Sequence, residues 1–143
     1  MRLRGLAQWR VTYPRERFSR DVAAGTVWYW RAQTEVAATI TVSDARPEYY
    51  DEDLWRDATS AWYLTRFAVA RRFAGRNVGT QVMDRVAREA SAAGVQALRL
   101  DVTGANPFLE RYYLEHDFRR VGEASIRGEA CVLLERRCGY VPA

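Results

Sequence analysis

The sequence predicts an α/β fold of the α+β kind: a mixed, mostly antiparallel central sheet flanked by helices, built as one domain over residues 1–143. Three observations predict it. Runs 26–32 and 35–42 are rich in β-branched and aromatic residues and are separated by Gln33-Thr34, which reads as a hairpin. Between residues 61 and 116 the chain alternates strand, helix, strand, helix. Two further strand-like runs, 118–125 and 129–136, form a closing hairpin.

Each element has a local reason. Residues 1–9 are long enough for about two helical turns. Pro14 suits a first helical position, and residues 15–24 continue a helix until Gly25, a good terminator. After the first hairpin, residues 43–60 are polar, acidic and aromatic (Tyr49, Tyr50, Asp51, Glu52, Asp53, Trp55) and read as a loop with one turn after Pro47. Residues 61–70 form a strand. From Val78, the apolar positions Val82, Met83, Val86, Ala87 and Ala90 recur at helical spacing, and Gly94 ends the run. Residues 96–102 are the next strand, and residues 107–116 a helix capped by Asn106.

The composition, 48% hydrophobic and 28% charged, is that of a globular chain. No apolar run approaches the roughly 20 residues that span a bilayer, and no signal-peptide core precedes the first element. Cys131 and Cys138, with a single histidine, make no metal set, so no metal is expected and the cysteines are read as reduced thiols of a cytoplasmic protein. All 22 basic residues are arginine, scattered rather than clustered, with a net charge of +4. That excess suits small anionic ligands better than nucleic acid.

The informative stretch runs from Phe67-Ala68-Val69 through the loop Ala74-Gly75-Arg76-Asn77-Val78-Gly79-Thr80 to Asn106 and Tyr113. A tight loop entering a helix aims backbone N–H groups one way, at the positive end of the helix dipole, which suits a phosphate.

With these motifs, residues 14–136 resemble the GNAT family of acyl-CoA-dependent N-acyltransferases. The family's phosphate motif is Arg or Gln, two residues, Gly, one residue, then Gly or Ala. Two registers fit: one from Arg72 to Asn77, and one from Ala74 to Gly79. The second is preferred because Val78 then falls on the family's apolar first helical position. In that register Asn77 replaces a glycine, and asparagine tolerates left-handed backbone; Ala74 removes a basic contact that Arg72 or Arg76 would replace. The family pattern of Asn, six residues, Tyr, then Phe five residues on is met by Asn106, Tyr113 and Phe118, with Asp117 where glycine is usual.

The resemblance implies acetyl-CoA as co-substrate, lying in a gap between splayed strands 61–70 and 96–102. Its pantetheine would pair with main chain of Phe67, Ala68 and Val69, its pyrophosphate with the loop from Ala74 to Thr80, and Asn106 would reach the coenzyme or cap its helix. It implies Tyr113 as donor to the departing thiolate, since a phenol near pKa ~10 can protonate one; the alternative is a core aromatic. Tyr112, about 100° round the helix, reads as packing. Asp101 stands where some members carry a glutamate base, and being one methylene shorter it favours a water-mediated route. His116 reads as a helix-end group and Cys131 as inert core. The segment from Tyr49 to Trp55 would line a pocket for a cationic amine, its acidic groups beside aromatics; the alternative is a solvated loop with one anchoring tryptophan.

The family normally opens with a strand leading into the first helix; residues 1–9 read as the tail of that helix, so the first strand is expected to be absent. Either the start is late, or a second subunit in a homodimer or a rearranged N-terminus covers the edge. The leading expectation is N-acetyl transfer to the primary amine of a small molecule by direct attack in a ternary complex. The alternatives are an acyltransferase acting on a protein N-terminus or an aminoacyl-tRNA, and a non-catalytic acyl-CoA-binding regulatory module.

Overall fold

A computed structural model describes residues 26–32, 34–51, 54–55 and 59–139. The expected helix over 15–24, the turns over 1–9 and the question of a first strand lie outside these residues. The elements are β1 (Val27–Ala32), β2 (Glu35–Ser43), β3 (Ala61–Val69), α1 (Val78–Ala92), β4 (Ala97–Thr103), α2 (Pro107–Leu114), β5 (Arg119–Ile126) and β6 (Glu129–Arg137). Their strands form one six-stranded mixed sheet in the order β1-β2-β3-β4-β6-β5. The ladders of β1 with β2, β4 with β6 and β5 with β6 are antiparallel, and that of β3 with β4 is parallel.

The chain divides into two compact units, 1–42 with 64–84 and 43–63 with 85–143. In the first, β1 and β2 form the expected antiparallel hairpin, Ala32 facing Glu35, and the register slips at Trp30/Arg31. β2 carries the buried run Ala37, Ala38, Thr39, Ile40, Thr41 and Val42, as a strand covered on both faces should. The Ala70 N–H donates to the Ala37 carbonyl (2.7 Å) and extends the pairing past β3. A 3₁₀ turn at Arg71–Phe73, absent from the expectation, then leads to α1.

In the second unit, β4 pairs with β6 along its whole length, Ala97↔Arg137 to Thr103↔Cys131. Period-two alternation sorts β4 into two faces. Leu98, Leu100 and Val102 take one; Arg99, Asp101 and Thr103 take the other, opposite Glu135, Leu133 and Cys131 of β6. On that second face Tyr50 and Trp55 of the 44–60 loop form a buried cluster with Ile126, Cys131 and Leu133, with Tyr49, Leu54, Tyr63 and Ala124 packed around it. The turn expected after Pro47 is present: the Tyr50 N–H donates to the Pro47 carbonyl (3.0 Å).

β5 and β6 join through Arg127-Gly128, both with positive φ (53° and 79°), the combination a two-residue hairpin needs. α2 ends at Leu114 rather than His116, because the chain reverses through Asp117 at φ 66°, the conformation expected where the family has glycine.

Candidate active site

Helix α1 begins at Val78, as the preferred register requires. Ahead of it Gly75 (φ 78°) and Asn77 (φ 60°) take left-handed conformations, so asparagine performs the turn a glycine would. The Gln81 N–H donates back onto the Asn77 carbonyl (3.1 Å). The N–H groups of Val78 and Gly79, in the first turn, have no acceptor within the helix. Residues 74–77 are exposed and Val78 and Gly79 buried. Arg72 pairs with Glu35 (3.0 Å) at the surface, and its guanidinium and that of Arg76 lie 5.5 and 5.9 Å from the Phe73 ring.

Upstream, Arg66 sits at φ 54° inside β3. A non-glycine residue held there within a strand marks a kink. It immediately precedes Phe67, Ala68 and Val69, and the β3–β4 ladder runs only from Ala61↔Ala97 to Tyr63↔Arg99.

The second unit brings Asp101, Tyr49, Tyr50, Trp55, Cys131, Asn106 and Tyr113 into one body. Asp101 accepts a hydrogen bond from the Tyr50 hydroxyl. Burial pushes its carboxyl above the usual carboxylate range; hydrogen bonds from Tyr50 and Cys131 and the positive charge of Arg127 oppose this without reversing it. Tyr50 is held far above the ordinary phenol range by burial and then by the Asp101 charge, so it remains a donor at every working pH. Cys131 is likewise pushed up to about 11, chiefly by burial and then by Asp101. It is a protonated core thiol, as expected, with the added feature that it faces the carboxylate.

Tyr113 is 3% exposed, its ring edge-on to Tyr112 (5.4 Å) and Phe118 (5.4 Å). Burial, then the Tyr112 and Asp101 charges, raise its phenol beyond the usual value. Asn106 caps α2, its side-chain oxygen accepting from the Leu109 N–H (3.2 Å). His116 is the helix-end group anticipated: its ring stacks on Tyr112 (4.1 Å) and its Nδ1–H donates to the Tyr112 carbonyl (2.6 Å).

Of the two expected acceptor-pocket residues, Tyr49 is half-buried with the Arg127 guanidinium 4.2 Å from its ring centre. Trp55 lies inside the cluster, 9% exposed, with Arg99 over its face at 4.9 Å. Its indole N–H is buried and finds no acceptor among the described residues.

Sequence reasoning placed Tyr50 in the loop but missed its bond to Asp101, together with Arg127 and the ion pair of Arg99 with Glu135 (2.9 Å, both almost fully buried). Alternation along β4 was the available signal: it puts Arg99 on the same face as Asp101, facing β6. The Tyr50 contact spans 51 residues and left no local trace.

The sequence pattern of the Acetyltransferase (GNAT) family matches residues 4–118, and the chain belongs to that family. It is 28% identical over 104 residues to the uncharacterized N-acetyltransferase YesJ of Bacillus subtilis (strain 168), covering 71% of this chain but only 57% of that protein. Among solved structures it resembles a GNAT-family acetyltransferase from Listeria monocytogenes 4b F2365 (TM-score 0.70, 23% identity, 84% of this chain and 69% of the other). It also resembles the ribosomal-protein-S18-alanine N-acetyltransferase of Escherichia coli (TM-score 0.68, 13% identity, 93% and 82%). At these identities the structures speak for the fold.

Proposed function

We propose that this chain is a single-domain acetyl-CoA-dependent N-acetyltransferase, transferring acetyl to the primary amine of a small molecule by direct attack in a ternary complex. The observation that carries the reading is the buried carboxylate of Asp101, raised in basicity and framed by fixed donors. An acceptor amine arrives as ammonium and must lose a proton before it can attack a thioester. A carboxylate made more basic by burial is suited to take it, directly or through a water.

The remaining roles follow from the same chemistry. The N–H groups of Val78 and Gly79 at the start of α1, and the exposed Arg76 of the preceding loop, suit the coenzyme's phosphates. Main-chain groups from Phe67 to Val69, just past the Arg66 kink, suit its pantetheine arm and the thioester oxygen. Tyr113 stays protonated and donates a hydrogen bond toward the departing thiolate; its raised pKa makes it a weaker acid than a free phenol. Tyr49 would wall the amine site, and the unsatisfied indole N–H of Trp55 would be available to an acceptor oxygen. A homodimer is the proposed assembly, two-fold pairs being the commonest closed oligomers.

The test is a panel of primary amines, with an N-terminal peptide as the macromolecular comparison, followed by thiol release from acetyl-CoA. Turnover of a small amine that falls by roughly 10²-fold or more in Asp101→Asn supports the reading. Acetylation of the peptide alone, or full activity in Asp101→Asn, overturns the acceptor class or the base respectively.

A further inference from the structure

We propose that Tyr50 is a positioning residue: its hydroxyl, with the Cys131 thiol, holds the Asp101 carboxylate ionised and in one orientation, so the 44–60 loop is part of the proton-accepting apparatus. The inference rests on the reading of Asp101 as base and adds a residue that neither the family resemblance nor the sequence pattern singles out.

The geometry is specific. Tyr50 is 4% exposed and its backbone is pinned by the turn onto Pro47. Its ring is wedged by Tyr49 (4.9 Å, edge-on), Trp55 (6.1 Å) and Tyr63 (6.1 Å). A phenol so confined has one direction in which to aim its hydroxyl, and that direction is Asp101. From β6, Cys131 lies one same-face step along the ladder, opposite Thr103, and its thiol helps favour the ionised carboxylate.

Three side chains bear on the carboxylate: Tyr50 from the loop, Cys131 from β6 and Arg127 from the β5–β6 turn, and all three favour the ionised form. An ionised carboxylate offers about four lone-pair directions. Tyr50 occupies one and leaves others for an incoming amine or water. Packing alone would be served by phenylalanine; the buried hydroxyl is satisfied by the carboxylate and satisfies it in turn.

The experiment titrates Asp101 directly in the full chain, by NMR of ¹³C-labelled aspartate carboxyls, the Asp101 signal being assigned from its loss in Asp101→Asn. Tyr50→Phe removes one donor to the ionised form, so the midpoint should rise by about one pH unit. Tyr63→Phe, which removes a hydroxyl from a neighbouring ring of the same cluster, should leave it in place. Where Tyr50→Phe does not fold, 3-fluorotyrosine at position 50 keeps the ring and makes the phenol a stronger donor, and the midpoint should fall. An unmoved midpoint in a folded Tyr50→Phe chain, or an unmoved or raised one with 3-fluorotyrosine, overturns the inference. The two layers separate cleanly. Full amine-dependent thiol release in Asp101→Asn sinks the base reading, whereas an inactive Asp101→Asn with an unmoved midpoint in Tyr50→Phe sinks only the role of Tyr50.

Discussion

Removing Glu135 should unfold this protein at a markedly lower temperature. Glu135 and Arg99 are 3% and 2% exposed, face each other directly across β4 and β6, and meet at 2.9 Å. Glu135→Leu takes the facing carboxylate from a buried guanidinium that cannot deprotonate. Breaking such a buried pair from one side costs about 3–5 kcal/mol. For a chain of this length each kcal/mol lowers Tm by roughly 3–5 °C, so a fall of about 10–20 °C is expected.

Arg99→Met is different. It leaves Glu135 with Arg137 at 3.2 Å and Arg119 at 3.8 Å, both able to take up the charge. Among the contacts of the described residues, the one over Trp55 at 4.9 Å goes as well, worth about 1–2 kcal/mol when desolvated. The double variant Arg99→Met/Glu135→Leu places apolar groups in both positions and should recover most of the loss, since such replacements are often neutral or stabilising. Thermal melts followed by circular dichroism, with urea midpoints as a check, measure all three. A Glu135→Leu cost below about 1 kcal/mol, or a double variant no better than Glu135→Leu, would refute the reasoning: the pair would then be solvated rather than buried.

Three further outcomes follow. Tyr113→Phe removes only a hydroxyl, so acetyl-CoA affinity by calorimetry should hold while turnover falls roughly 10²- to 10⁴-fold; equal turnover would mean the ring is packing and solvent supplies the proton. Because the folded-state pKa of Asp101 lies above its unfolded value, the folded chain binds the extra proton between the two, and stability should decline as pH rises through that window. Urea midpoints across pH should accordingly show Asp101→Asn more stable than the parent at neutral pH, and an equal or lower midpoint there would contradict the burial argument. Gly79→Asp, which sets a negative charge at the start of α1, should abolish measurable acetyl-CoA binding in a folded chain; unchanged affinity would remove the loop from the coenzyme site.

How much of this was legible in the chain divides along a physical line. Elements whose cause is local were readable: the β1–β2 hairpin, α1 from its periodicity, the Asn106 cap, and left-handed Asn77 and Asp117, each determined by a few neighbouring residues. The spacing of Asn106, Tyr113 and Phe118 carried the family, because it reports one helix and the strand that follows. Local rules also missed the 3₁₀ turn at Arg71–Phe73 and the kink at Arg66, where neither side chain advertises the backbone it adopts. The chemistry around Asp101 was decided only by tertiary structure. Sequence identified a carboxylate at a strand end; it took the fold to place a tyrosine from 51 residues upstream and a cysteine from the facing strand against it, and to remove it from water. Burial depends on everything that packs around a group, and no pattern in residues 98–102 contains it.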